Sequence, residues 1–161
     1  MQTEKYPFVK VDEFHYYEFD SKGPKGVVRK IVLYINTNFQ EKPIFNLAFG
    51  DRNPLTGELD DSVVTNNNDR KKILSTVAAT VLQFIKERPH GVVFAEGATP
   101  ARNRLYRMGI GSIWSEIKKE MDLYGRVNKR WYKFTTDKNF DAFLLAHKSL
   151  KYNPNDKKII K

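Results

Sequence analysis

The sequence predicts a single α+β domain: a mainly antiparallel sheet of four to six strands with two long helices packed on one face. Three observations carry this expectation. Two runs rich in β-branched and aromatic residues, 16–19 and 27–35, flank the turn-former segment Asp20-Ser21-Lys22-Gly23-Pro24-Lys25-Gly26, a hairpin signature with a basic tip. Between Arg70 and Arg88, residues Ile73, Val77, Val81 and Phe84 form one helical stripe, widened by Leu74, Ala78, Leu82 and Ile85. An apolar face that wide belongs to a helix lying on a sheet. The remaining patterns give the order β-β-β-α-β-α-β-α, too irregular for an all-parallel sheet.

Each element follows in turn. Residues 6–11 add an edge strand, a position that tolerates Pro7. Phe45-Asn46-Leu47-Ala48-Phe49 is a third strand of the first group, closed by Gly50-Asp51. Residues 50–69 form a long loop with Pro54, Gly57, Asp60-Asp61 and Asn66-Asn67-Asn68-Asp69, and loops of that length are commonly functional. Asn68 or Asp69 caps the helix that follows, and Pro89 lies beyond its end. Gly91-Val92-Val93-Phe94-Ala95 reads as a buried strand. Thr99 then supplies an N-cap hydroxyl and Pro100 the fixed φ of a first helical position. That helix is expected to run to about Met108, with Leu105 and Met108 toward the core, and to break at Gly109-Ile110-Gly111. Ile113, Ile117 and Met121 then give a second amphipathic stretch ending near Tyr124-Gly125. Trp131-Tyr132-Lys133-Phe134 is a further strand, and residues 140–148 a short terminal helix burying Phe140, Phe143 and Leu144. The domain so read spans 1–150, with 151–161 a lysine-rich tail expected to be disordered.

A chain of 161 residues is long enough to bury about two-thirds of its unfolded surface. No apolar run approaches the ~20 residues of a membrane span, and the first seven residues hold no apolar targeting core. With no cysteine, disulfides, thiol catalysis and thiolate metal sites are excluded, which fits a cytoplasmic protein. The formal net charge of +9 is unevenly spread. Residues 1–50 carry seven basic and six acidic groups, 51–100 six and seven, and 101–161 fifteen and six. All of the excess lies C-terminal to Thr99, as in a surface that faces a polyanion, of which nucleic acid is the commonest.

Two segments carry candidate chemistry. In the first, a strand, a small-residue turn and a helix N-terminus bring backbone N–H groups of Gly97, Ala98 and Thr99 together with Arg102, Arg104 and Arg107, a pattern suited to an anion. The alternative is that Glu96 pairs an arginine, Gly97 serves the turn and Thr99 merely caps. In the second, Arg126, Lys129, Arg130, Tyr132 and Lys133 alternate cations with aromatic groups, as in surfaces that neutralise phosphates and stack bases of single strands. The alternative is an edge strand with Trp131 in the core and lysines that discourage pairing. No metal site is expected: Asp51, Asp60, Asp61 and Asp69 do not match an EF-hand, and His15, His90 and His147 are isolated. No serine lies in a nucleophile elbow, and there is no P-loop or dinucleotide fingerprint, so neither a reaction nor a cofactor is implied.

Phe49-Gly50-Asp51, Asn66-Asn67-Asn68-Asp69, Ser75-Thr76-Val77-Ala78 and the run from Gly97 to Ile110 together resemble a family of short bacterial proteins of unknown function, mainly from Bacteroidetes. The resemblance extends from the Glu18–Gly23 hairpin to Phe143. In the family pattern serine stands where this chain has Ala98 and threonine where it has Asn103, so hydroxyls at those positions are dispensable here. The resemblance implies a single domain and no activity. The sequence therefore leads to a basic binding module for nucleic acid or another phosphate-rich partner, without membrane or cofactor. A small phosphorylated ligand or substrate held at Thr99 is the first alternative. A ligand-free interaction module, with the arginine helix against the Asp60-Asp61 loop, is the second.

Overall fold

The computed structural model describes residues 4–12, 16–37, 44–60 and 66–155. The strands are β1 (Val9–Asp12), β2 (Tyr16–Gly23), β3 (Gly26–Asn36), β4 (Ile44–Arg52), β5 (Leu59–Asp60), β6 (Val92–Ala95), β7 (Met121–Val127), β8 (Arg130–Lys133) and β9 (Ala142–His147). Two helices, α1 (Arg70–Glu87) and α2 (Pro100–Ile117), complete the fold with a 3₁₀ turn at Lys148–Leu150. The class is α+β as expected, but among the described residues the sheet has nine strands, not four to six, in the order β1-β2-β3-β4-β6-β9-β7-β8 with β5 beside β4. The His15, Asp61 and Ser62 positions and the last lysines of the chain lie outside the described residues.

The topology follows from two crossovers. β1 to β4 form an antiparallel meander. α1 then carries the chain across so that β6 pairs parallel to β4. α2 carries it on to β7, and β9 returns to fill the gap antiparallel to both β6 and β7. Parallel connections are overwhelmingly right-handed. Two successive crossovers in the same direction therefore leave both helices on one face. Ile73, Val77, Phe84 and Ile85 of α1 and Tyr106 and Ile117 of α2 share a core there with Val32, Tyr34, Phe49, Val93 and Phe143. On the opposite face Ile44, Val92, Ala142, Leu144 and Ala146 are covered by Trp131, Leu150 and Tyr152. Residues of the presumed tail thus contribute to a core: Tyr152 is buried, and the Asn155 side chain both accepts from Trp131 N–H (3.1 Å) and donates to Trp131 C=O (3.0 Å). That pair satisfies the outward backbone of the last strand, where a free edge would invite pairing.

Three expected elements are corrected. α2 does not break at Gly109-Ile110-Gly111 but continues to Ile117. A Cβ at Gly109 would lie 3.2 Å from Leu74 Cβ, so the glycine lets α1 and α2 approach closely. Residues 121–127 are strand β7, not the end of a second helix. Residues 142–147 are strand β9, not a terminal helix, and all but His147 are buried. A strand covered on both sides shows no alternation, and its continuous apolar run mimics a helix. Leu105 and Met108 do not face the core either; Asn103, Tyr106 and Gly109 do, and Met108 is exposed. No helix among the described residues is long and apolar enough to cross a membrane.

Candidate functional site

Because β4, β6 and β7 run parallel, their carboxyl ends open on one edge of the sheet, together with the N-termini of α1 and α2. Ligands of α/β folds commonly bind in the crevice outside such strand ends. Here the edge carries Asp51 and Arg52 at the end of β4, Glu96 and Gly97 after β6, and Asn128 after β7. Lys30 also reaches this edge, because it stands opposite Asp51 in the β3–β4 register.

The expected anion cradle is divided by the first turn of α2. Thr99 is the N-cap, and its hydroxyl accepts from the Arg102 N–H at 3.2 Å. Gly97 N–H donates to Asn103 Oδ1 (2.8 Å), and Asn103 Nδ2 donates back to Gly97 C=O (3.3 Å). Asn103 thus locks the turn to the helix. A Cβ at Gly97 would meet Arg102 Cβ and Cγ at 2.7 Å, which is why glycine stands there. Arg102 turns away beneath this turn: its Nη2 donates to Phe49 C=O at 2.5 Å and its guanidinium lies 5.1 Å from the Phe49 ring centroid.

Arg104 and Arg107 turn the other way, into a cleft of about 410 Å³. Its walls include Glu96 to Pro100, Asn103, the turn residue Asn128, and Asn139 to Asp141. Arg107 Nη1 donates to Asn139 Oδ1 (2.7 Å) and Lys138 C=O (3.1 Å), so it is held in place. Arg104 is exposed and has no hydrogen-bond or ion-pair partner among the described residues. Beside the cleft, Arg126 donates to Asp141 Oδ1 (2.6 Å) and to Glu96 Oε2. Its guanidinium lies 5.7 Å from the Trp131 ring and 6.0 Å from the Phe94 ring. Burial opposes the charge, but the hydrogen bonds to Asp141 and Glu96 outweigh it and hold Arg126 above its ordinary pKa. Both carboxylates near the arginines are thereby engaged.

Among the residues of the second candidate segment, Arg126 is this stacked, doubly paired group, whereas Lys129, Arg130, Tyr132 and Lys133 are exposed. Asn128 (φ 48°) and Lys129 (φ 69°) form the two-residue turn between β7 and β8, so Lys129 sits at a hairpin tip and not in a strand. Hairpins favour this left-handed pair because its twist matches the strands. Arg130, Tyr132 and Lys133 are exposed on β8. Trp131 is only 6% exposed, so Tyr132, at 42%, is the accessible aromatic of this strand, with Lys138 Nζ 5.2 Å from its ring centroid. Val127 and the turn residue Asn128 line the cleft that holds Arg104 and Arg107, so the β7–β8 hairpin borders it, although none of Arg126, Lys129, Arg130, Tyr132 and Lys133 lines it.

Sequence reasoning missed a third group, a buried polar cluster at the same edge. Lys30, 1% exposed, pairs with Asp51. Asp69 is the N-cap of α1 but makes no side-chain cap bond; instead its Oδ2 accepts from Tyr6 and Ser21 hydroxyls, each at 2.5 Å. Lys30 alternates into the helix-side core position of β3, a register that apolar periodicity alone cannot assign to a charge. Among the described residues no group of three or more His, Cys, Asp or Glu side chains is placed to hold a metal. His147 caps the 3₁₀ turn through Ser149, and His90 is exposed at the start of β6, away from Thr99.

A family model described as a family of unknown function (DUF6934) matches residues 2–148. No curated protein and no solved structure matches the chain.

Proposed function

The chain belongs to this family of unknown function, and from that premise we propose that it is a basic binding module whose cleft at the N-terminal end of α2 takes phosphate groups of nucleic acid or of another phosphate-rich partner. The observation that carries this reading is the pair Arg104 and Arg107: one exposed and without a partner among the described residues, the other pre-oriented by Asn139, both lining one cleft. Bidentate guanidinium contacts are the strong way to hold phosphate. The neighbouring hairpin supports a strand of nucleic acid over a lone ion. Lys129, Arg130 and Lys133 are exposed on it, and Tyr132 offers a ring on which a base stacks, worth about 1–3 kcal/mol.

Fluorescence anisotropy with labelled single- and double-stranded DNA and RNA, across a salt series, tests the reading. Affinity should fall steeply with salt through counterion release. Arg104→Ala should weaken every sequence alike and lower the salt slope by about 1, as expected for one lost phosphate contact. Tyr132→Ala should cost single strands more than duplex. No binding at low salt overturns the reading. The cleft volume, about 410 Å³, also lies within the roughly 300–1,000 Å³ of small-molecule sites and favours a second reading, a phosphorylated metabolite. A metabolite that raises Tm in the parent chain but not in Arg104→Ala would select it.

A further inference from the structure

On the other side of the α2 first turn, sequence stretches that the arginine cleft leaves unused come together. Phe49, Asn66, Asn67, Asp69 and Arg102 line a pocket of about 80 Å³, together with Lys30 and Arg70, over an apolar floor that includes Ile73 and Leu74. Asn67, 2% exposed, is fully used by the fold: its Nδ2 donates to Gly26 C=O (2.9 Å) and Ser21 Oγ (3.2 Å), and its Oδ1 accepts from Lys25 N–H (2.7 Å). Two other groups are not. Asp69 Oδ1 is buried and has no hydrogen-bond partner among the described residues. Lys30 carries three donors but meets a single acceptor, Asp51, among the described residues. An unmade bond on a buried charged group is costly, so both call for a partner. The first turn of α1 adds Arg70, Lys71 and Lys72 with no acidic residue and no side-chain cap, at the positive end of the helix dipole.

We propose that this pocket binds a small molecule bearing an amide-type edge, an N–H donor beside a carbonyl oxygen, with the N–H on Asp69 Oδ1 and the oxygen on Lys30. At ~10–15 Å³ for each water-sized site, the pocket takes on the order of five to eight heavy atoms. That is the size of a pyrimidine base or a small carboxamide, the two sources of this edge. Asn66 and Arg70 are exposed at the rim and leave an entrance. The site is independent of the arginine cleft, since Arg102 and the Gly97 turn stand between them.

Nitrogen-15 NMR of the full chain, titrated with uracil, cytosine and acetamide, tests the proposal. Saturable shifts of the Lys30, Asn67, Asp69 and Arg70 amides are expected. Stronger binding of the ring compounds than of acetamide assigns a nucleobase; the reverse assigns a free carboxamide. Asp69→Asn keeps an oxygen for Tyr6 and Ser21 but turns the unpaired acceptor into a donor. It should weaken uracil about tenfold or more, as for a lost hydrogen bond to a charged group. If Asp69→Asn does not fold, Arg70→Ala at the exposed rim should still weaken binding severalfold. Arg104→Ala should leave these titrations unchanged while weakening phosphate binding in the cleft. Absence of saturable shifts, equal uracil affinity in both pocket variants, loss of uracil binding in Arg104→Ala, or a soaked crystal with ordered water alone in the pocket overturns the proposal.

Discussion

Arg102, Arg104 and Arg107 are close neighbours on α2, yet each has its own task. Arg102 anchors the helix start to the β4 carbonyl edge, Arg107 is tethered to Asn139, and Arg104 is left exposed at the cleft. Side-chain direction, which depends on rotamer and neighbours, separates them; sequence spacing does not. Two tyrosines show the same dependence on environment. Tyr34 is buried with its hydroxyl 2.8 Å from Thr80 Oγ1, which itself donates to Val77 C=O, so Tyr34 is the donor. Tyr17 is equally buried, but its hydroxyl has no partner among the described residues. Tyr34→Phe should therefore cost about 1 kcal/mol in a urea melt, whereas Tyr17→Phe should be neutral or stabilising, because it deletes a buried polar atom that bonds nothing. Equal losses for the two variants would contradict the assignment.

Among the elements, α2 and β9 departed most from expectation, for different reasons. Gly109 and Gly111 carry a real propensity cost, about 1 kcal/mol each relative to alanine. Packing against α1 overrides it, since a Cβ at Gly109 would already lie 3.2 Å from Leu74 Cβ. Gly109→Val should destabilise by about 1–3 kcal/mol, read as a lowered urea midpoint with an unchanged slope, because the added methyls must displace Leu74. β9 is legible only once its neighbours are known. It lies between β6 and β7, buried on both faces, and such a strand has lost the alternation that identifies strands in sequence. The first hairpin, α1, β6 and the start of α2, by contrast, were readable because turn chemistry, helical periodicity and the Thr99-Pro100 cap are local signals.

At the scale of the whole molecule, tyrosine burial ties stability to alkaline pH. Burial lifts Tyr16, Tyr17 and Tyr152 to about 12, with Glu18 adding to the shift of Tyr16 and Glu87 to that of Tyr17, and it lifts Tyr34 well above its ordinary value. The unfolded chain releases these protons near pH 10, so the folded state binds more protons between about 10 and 12. Stability from these groups is complete below pH 10 and is lost as pH rises toward 12. Circular dichroism and tyrosinate absorbance followed together should show unfolding and ionisation as one cooperative step in that window. Free ionisation of all tyrosines near pH 10 without loss of structure would contradict the burial.

The sequence by itself determined the fold class, the first hairpin, the two helix starts and the concentration of positive charge after Thr99. These rest on local turn residues, caps, periodicity and counting. Tertiary structure alone decided that the nine strands of the described residues form one sheet, that residues 142–147 insert between β6 and β7, and that Lys30, Asp51, Asp69 and Arg102 gather at the edge where Arg104 and Arg107 open outward. Register and side-chain direction brought those groups together, and both are set by pairing between segments far apart in the chain, which no local pattern encodes.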